Sequence, residues 1–182
     1  MPCAGGEGFL VMTRSRAEEL GLPYAHILGT IERHNAFTDD IVQFRAGWAV
    51  DKDELYEMAG VTPDDVDFME TYDDYPVINV LQFEDLGFCE KGEGKDFVRA
   101  NSFTNDGSFP TNTSGGQLSV GQAGASGGLL GTVEGIRQIT GQALGTQVAD
   151  PKVGLVCGFG MINYDRGLCS SAVLLGAGKV AA

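Results

Sequence analysis

The sequence predicts an α/β fold in a single domain over residues 1–182, a mixed sheet layered with helices on both sides. Three observations carry this. Short apolar runs alternate with segments of helical spacing, the pattern of layered α/β proteins. Glycine or proline punctuates the joins, at Gly21, Pro23, Gly60, Gly87 and Gly141. A chain of 182 residues is long enough to bury a sizeable core, and one domain is the default at that length.

Each element follows from its residues. Gly8 to Thr13 reads as a short buried strand. Ser15 caps a brief helix over Arg16 to Leu20, stopped by Gly21 and Pro23. Ala25 to Ile31 is a second strand, and 35–50 a loop or edge carrying Phe37, Phe44 and Trp48. Asp51 to Ala59 is a helix whose acidic start suits the helix dipole, and Gly60 ends it. A turn at Thr62 to Asp65 leads into a strand over Val66 to Glu70. Pro76 to Leu86 is helical, with proline in the first turn and Gly87 after the last. Residues 88–111 read as a long polar connection. A helix over 127–140 is closed by Gly141. Val153 to Cys157 and Cys169 to Leu175 are buried strands around an irregular middle.

The bulk numbers exclude several functions. A net charge of −13 opposes binding to nucleic acid or to an anionic membrane surface. No apolar stretch reaches the roughly 18 residues of a membrane-spanning helix. The first residues lack the basic-then-apolar order of a signal peptide, so a cytoplasmic protein with free thiols is expected. Cys3, Cys89, Cys157 and Cys169 form no C-x-x-C pair, and neither His26 nor His34 has a ligand companion in sequence, so no metal is expected. Cys3 and Cys169 read as core residues and Cys89 as structural.

Residues 112–128 are the densest feature, with six glycines in Asn112-Thr-Ser-Gly-Gly-Gln-Leu-Ser-Val-Gly-Gln-Ala-Gly-Ala-Ser-Gly-Gly128. Glycines at this density let backbone approach backbone or ligand, and the helix that follows presents free N–H groups. Three further segments stand in order with it: Thr62-Pro-Asp-Asp-Val-Asp67, Leu81-Gln-Phe-Glu-Asp-Leu-Gly-Phe-Cys89 and, at a strand end, Glu70-Thr-Tyr-Asp-Asp-Tyr75. Together they resemble the C-terminal half of a thiolase-superfamily protein, in the branch of sterol-carrier-protein-type thiolases and steroid side-chain aldolases. The resemblance runs from about Ala4 to Gly176.

The resemblance implies an acyl-CoA enzyme that makes or breaks a C–C bond next to a thioester, by Claisen acyl transfer or retro-aldol cleavage. Coenzyme A thioester would be substrate, and no other cofactor is implied. The alternative is a degenerate, non-catalytic subunit that scaffolds a partner or binds acyl ligands. Tyr72 stands where the aldolase branch carries an acid/base tyrosine. Gln122 stands where thiolases carry a catalytic histidine and aldolases a second tyrosine; it cannot take a proton, but its amide can donate to a thioester oxygen. Cys157 stands at the position of the second acid/base cysteine, or is an ordinary core residue. Asn112, Gly115, Gly116, Gly121 and Ser126 would bind substrate. The nucleophile-bearing N-terminal half has no counterpart here, so it is implied as a partner, in the same longer chain or as a separate subunit of a homo- or hetero-oligomer. A small OB-fold acyl-CoA-binding protein is a further implied partner. Tyr164 and Asp165 read as a polar insertion between strands. Asp73, Asp74, Glu84 and Asp85 are too closely spaced for a glycosidase pair and read as solvated faces or helix caps.

Overall fold

A computed structural model describes residues 3–163 and 166–178. Four strands, β1 (Ala25–His34), β2 (Phe68–Glu70), β3 (Val153–Asn163) and β4 (Arg166–Ala177), form one sheet in the order β1-β4-β3-β2. β1 pairs antiparallel with β4 and β4 with β3, whereas β2 lies parallel to β3. This is the expected mixed sheet. Among the described residues there are six helices, of which α2 and α6 pack most closely on the sheet: α1 (Arg14–Glu19), α2 (Trp48–Ala59), α3 (Pro76–Asp85), α4 (Gly94–Ala100), α5 (Gly116–Val120) and α6 (Leu130–Ile139).

Strand alternation divides the core in two. Leu155, Cys157 and Phe159 of β3 join Ala172 and Leu174 of β4 on one face, packed against Trp48 and Leu55 of α2 and Ile78 and Phe83 of α3. Val156 and Leu175 point to the other face with Phe68, where they meet Ile139 at the end of α6 and Val148 beyond it. Polar anchors fix the first layer. The Trp48 indole N–H donates to the Ser171 carbonyl at 2.8 Å. Asp85, fully buried, accepts from the Ala46 N–H at 2.6 Å and from Lys91 at 2.5 Å, which ties the approach to α2 onto α3.

Several elements differ from the sequence reading. Residues 8–13 form no strand; Leu10 and Val11 are each 82% exposed. A five-residue apolar run has no periodicity that separates a strand from an extended segment lying outside the sheet. The first helix begins at Arg14 with Thr13, not Ser15, as its cap. Trp48 starts α2 rather than ending a loop, because Asp51 lies within the first turn and not at its head. The connection at 88–111 contains α4. Phe83, Phe88, Phe97, Phe103 and Phe109 pack ring to ring there at 4.8–6.4 Å, and a connection with that apolar cluster is not a free loop. The 127–140 helix begins only at Leu130, after a 3-10 segment at Gly124–Leu129. The middle after Cys157 is regular, since β3 continues to Asn163 and β4 starts at Arg166. Tyr164 and Asp165 lie outside the described residues.

At Gly154 in β3, a Cβ would collide with the ring of buried Phe68, its neighbour across the parallel pair. Gly154→Ala should therefore lower stability by about 1–3 kcal/mol through overpacking. Gly145→Ala, whose Cβ meets nothing within 4 Å, should change little. Thermal unfolding of the two variants checks this; equal melting temperatures would contradict the packing described for β2 and β3.

Candidate active site

The polar residues of greatest interest converge where β2 ends. Beyond Glu70 the chain passes through Thr71, Tyr72, Asp73 and Asp74 before Pro76 starts α3. Residues 111–129 cross in front of this segment. Two amide side chains hold the crossing. Asn112 exchanges a pair of hydrogen bonds with Thr71: its Oδ1 accepts from the Thr71 N–H at 2.8 Å, and its Nδ2 donates to Thr71 Oγ1 at 2.8 Å. Its own N–H donates to the Met69 carbonyl at 2.9 Å. Gln82 of α3, fully buried, clamps the backbone of Tyr72, accepting from its N–H at 3.0 Å and donating to its carbonyl at 2.9 Å.

Asp73 makes the tightest link. Its buried carboxylate accepts from the Gln117 N–H at 2.7 Å and the Leu118 N–H at 3.4 Å, at the head of α5. The approach needs glycine at 116. Gly116 sits at φ +64°, and a Cβ there would strike the Asp73 carboxylate. Asp73 is thus neither solvated nor a glycosidase acid; it is a helix cap. Glu84 does the same for α4 through the Gly94 N–H at 3.0 Å.

Above this scaffold Tyr72 and Gln122 meet. The Tyr72 hydroxyl donates to Asp74 Oδ2 at 3.1 Å and accepts from Gln122 Nε2 at 3.2 Å. Gln122 Nε2 also donates to Gln117 Oε1 at 3.0 Å. Burial first, then the Asp74 charge and hydrogen bond, push the Tyr72 phenol up to about 12, so it stays protonated at neutral pH. The cleft beside it is lined by Tyr72, Asp73, Asn112, Gly116, Gln117 and Cys157, among others.

The remaining candidates are less central. Cys157 is buried on the α2 face of the sheet, where burial raises its thiol far above the ordinary value and keeps it protonated. Gly115 and Gly121 lie at φ +102° and +106° and shape the two ends of α5. The Ser126 hydroxyl donates to the Ala123 carbonyl at 2.8 Å, closing a local turn. Two cysteines read as core are not. Cys3 is exposed, its N–H bonded to the Gln122 carbonyl at 3.1 Å, and Cys169 is half-buried. His34 does have ligand companions, because the β1–β4 pairing brings Glu32 and Cys169 beside it.

Beneath the site lies a network that the sequence reading missed. Glu70 faces α6, and its Oε1 lies 2.7 Å from the Thr113 hydroxyl, which is itself 2.8 Å from Glu134 Oε1. Gln138 Nε2 donates to the same Glu134 oxygen at 2.9 Å. Thr113 has one hydroxyl proton for two buried carboxyl groups. Glu70 Oε1 also accepts the Thr113 N–H at 3.2 Å, and a proton on the Glu70 carboxyl relieves the crowding of the two acids around one hydroxyl. Burial pushes the Glu70 carboxyl up to about 8, which accords with that arrangement. The i, i+4 spacing of Glu134 and Gln138 on the face of α6 opposite β2 was the signal available in the sequence.

Comparison with known proteins places these residues in context. The family model described as thiolase C-terminal domain-like matches residues 30–170. The steroid side-chain-cleaving aldolase of Thermomonospora curvata is 31% identical over 183 residues, covering 96% of this chain and 44% of that protein. The 17-hydroxy-3-oxo-4-pregnene-20-carboxyl-CoA lyase of Mycobacterium tuberculosis is 37% identical over 123 residues, covering 68% and 29%. Among solved structures, the Ltp2-ChsH2(DUF35) aldolase superposes with a TM-score of 0.69 at 27% identity, covering 85% of this chain and 40% of that one. The chain therefore spans less than half the length of each of these relatives.

The Glu70 proton has a measurable consequence. Its folded value is raised to about 8 from an ordinary 4.5, so the native state holds a proton that the unfolded chain releases. The stability this contributes is complete below about pH 4.5 and is lost as pH rises through about 8. Glu70→Gln mimics the protonated form and should flatten the decline in denaturation midpoint between about pH 5 and about pH 8. Parallel midpoint curves for variant and wild type would contradict a protonated Glu70.

Proposed function

Because this chain belongs to the thiolase C-terminal domain-like family, we propose that it is the C-terminal half, or a separate C-terminal subunit, of an acyl-CoA enzyme that makes or breaks a carbon–carbon bond next to a thioester. Within that class the reading is retro-aldol cleavage of a β-hydroxyacyl thioester. The observation that carries it is the Tyr72 hydroxyl held between Asp74 and Gln122 at the cleft.

The chemistry follows from what each group can do. Retro-aldol cleavage removes the β-hydroxyl proton, breaks the Cα–Cβ bond and leaves the electron pair as a thioester enolate. A neutral phenol suits the enolate oxygen, as donor rather than base. When substrate enters, the phenol hydrogen turns from Asp74 to that oxygen, and Gln122 Nε2 supplies a second hydrogen bond. Asp74 is then a free carboxylate beside the substrate, placed to take the hydroxyl proton. Protonation of the enolate at Cα completes the cleavage and yields a carbonyl product and a shortened acyl thioester. None of these steps needs the histidine-activated cysteine of thiolysis, whose histidine position is Gln122 here. The reading gives Cys157 no proton transfer.

The acyl pocket and the rest of the fold would come from an N-terminal half, in the same longer chain or as a partner subunit. A small OB-fold acyl-CoA-binding protein belongs to the same proposal. Among the described residues no helix is long and apolar enough to cross a membrane. A cytoplasmic setting is the compartment we propose.

In the assembled enzyme, Tyr72→Phe should lower turnover of a β-hydroxyacyl-CoA by about 10²–10⁴, the range for loss of one acid/base group. The surface variant Lys95→Ala should be unchanged. Both are compared after a folding check by circular dichroism. Full activity in Tyr72→Phe would remove the tyrosine mechanism and favour a non-catalytic, scaffolding subunit.

A further inference from the structure

At the C-terminal end of β1, on the opposite edge of the sheet from β2, three side chains of metal-binding type share one face. His34 lies directly opposite Cys169 in the β1–β4 register, and Glu32 lies two residues before His34, on the same face by strand alternation. Sequence separation hid this group: the cysteine is 135 positions from the histidine. The His34 Nε2 is 2.5 Å from Glu32 Oε1 and 3.7 Å from Cys169 Sγ, and the three ligand atoms lie within 4.8 Å of one another.

We propose that Glu32, His34 and Cys169 form a binding site for a divalent cation of the zinc class, with the fourth position left to solvent. The spacing suits the ion. Zinc bonds of about 2.3 Å to sulfur and about 2.0 Å to nitrogen, at a tetrahedral angle, set those two atoms roughly 3.5 Å apart. The histidine–cysteine pair is already close to that. The glutamate, on an exposed and flexible side chain, needs to withdraw from the imidazole by under about 1 Å.

The donor set selects the metal. Thiolate with imidazole favours zinc over magnesium or calcium, and the carboxylate makes the bound site neutral with a divalent ion. Room exists for the ion and its water. On the other side of Cys169 the sheet partner is Gly160, and a Cβ built there meets nothing within 4 Å. Binding sends the thiol proton to solvent and joins the edge strand β1 to the β3–β4 hairpin by a bond independent of the backbone ladder. It is also independent of the reaction proposed above.

Titration of the purified chain with cobalt(II), as the probe for zinc, tests the site. One equivalent should bind with a sulfur-to-cobalt charge-transfer band in the near ultraviolet, and zinc should displace it. Cys169→Ser, close in shape and therefore expected to fold, should abolish the band. Affinity should fall by more than the about 10–100-fold that loss of an outer-shell partner costs. Glu32→Gln and His34→Gln should weaken binding, whereas Cys3→Ser, at an exposed thiol elsewhere, should not. Zinc should also slow alkylation of Cys169. Absence of a stoichiometric band, or binding by Cys169→Ser equal to wild type, would overturn the proposal.

Discussion

The arrangement depends on one buried carboxylate. Asp73 lies three residues beyond β2 and takes the Gln117 N–H in the first turn of α5, in a gap that only glycine at 116 leaves open. A hydrogen bond to a charged group contributes about 1.5–3 kcal/mol, and a buried donor left without its acceptor costs about as much again. That places α5, and with it Gln117 and the turn to Gln122, at a fixed height over Tyr72. Asn112 on Thr71 and Gln82 on Tyr72 fix the same segment from its other sides. The phenol of Tyr72 therefore has its two partners already in place.

Much of this was legible in the sequence, and the limits have physical causes. α2 and α3 were readable because each ends at a glycine, and α3 carries proline in its first turn. Glycine density marked 112–128 as a loop that packs closely, and only the family resemblance paired Tyr72 with Gln122, which do meet in space. Asp73 was not readable, since nothing in a run of two aspartates says which is buried. Residues 8–13 misled for the opposite reason: a short hydrophobic run is a local property, whereas strand pairing depends on where the segment lies relative to the sheet. The Phe83–Phe109 cluster shows the same limit, with aromatic residues spread over 27 positions meeting only in space. Glu70 and Glu134 are the clearest case, two buried acids joined by a threonine hydroxyl, with 64 positions between them.

The two faces of the sheet are covered unequally. α2 and α3 cover one face. On the other, α6 packs against β2, β3 and β4, and a groove stays open beside it toward β1, lined by Thr30, Glu32, Gly158, Ser171 and Val173. The cleft by Tyr72 is small, bounded by the 70–73 segment, Asn112, Gly116 and Gln117.

The most direct test of this account is amide hydrogen exchange on Asp73→Asn beside wild type. If the Asp73 carboxylate holds the glycine loop, protection should fall at Gln117 and Leu118 and spread to Gln122, while the β3–β4 hairpin keeps its protection. Unchanged exchange at Gln117 and Leu118 would contradict the account, because the loop would then be held in place without the interaction on which the site is argued to rest.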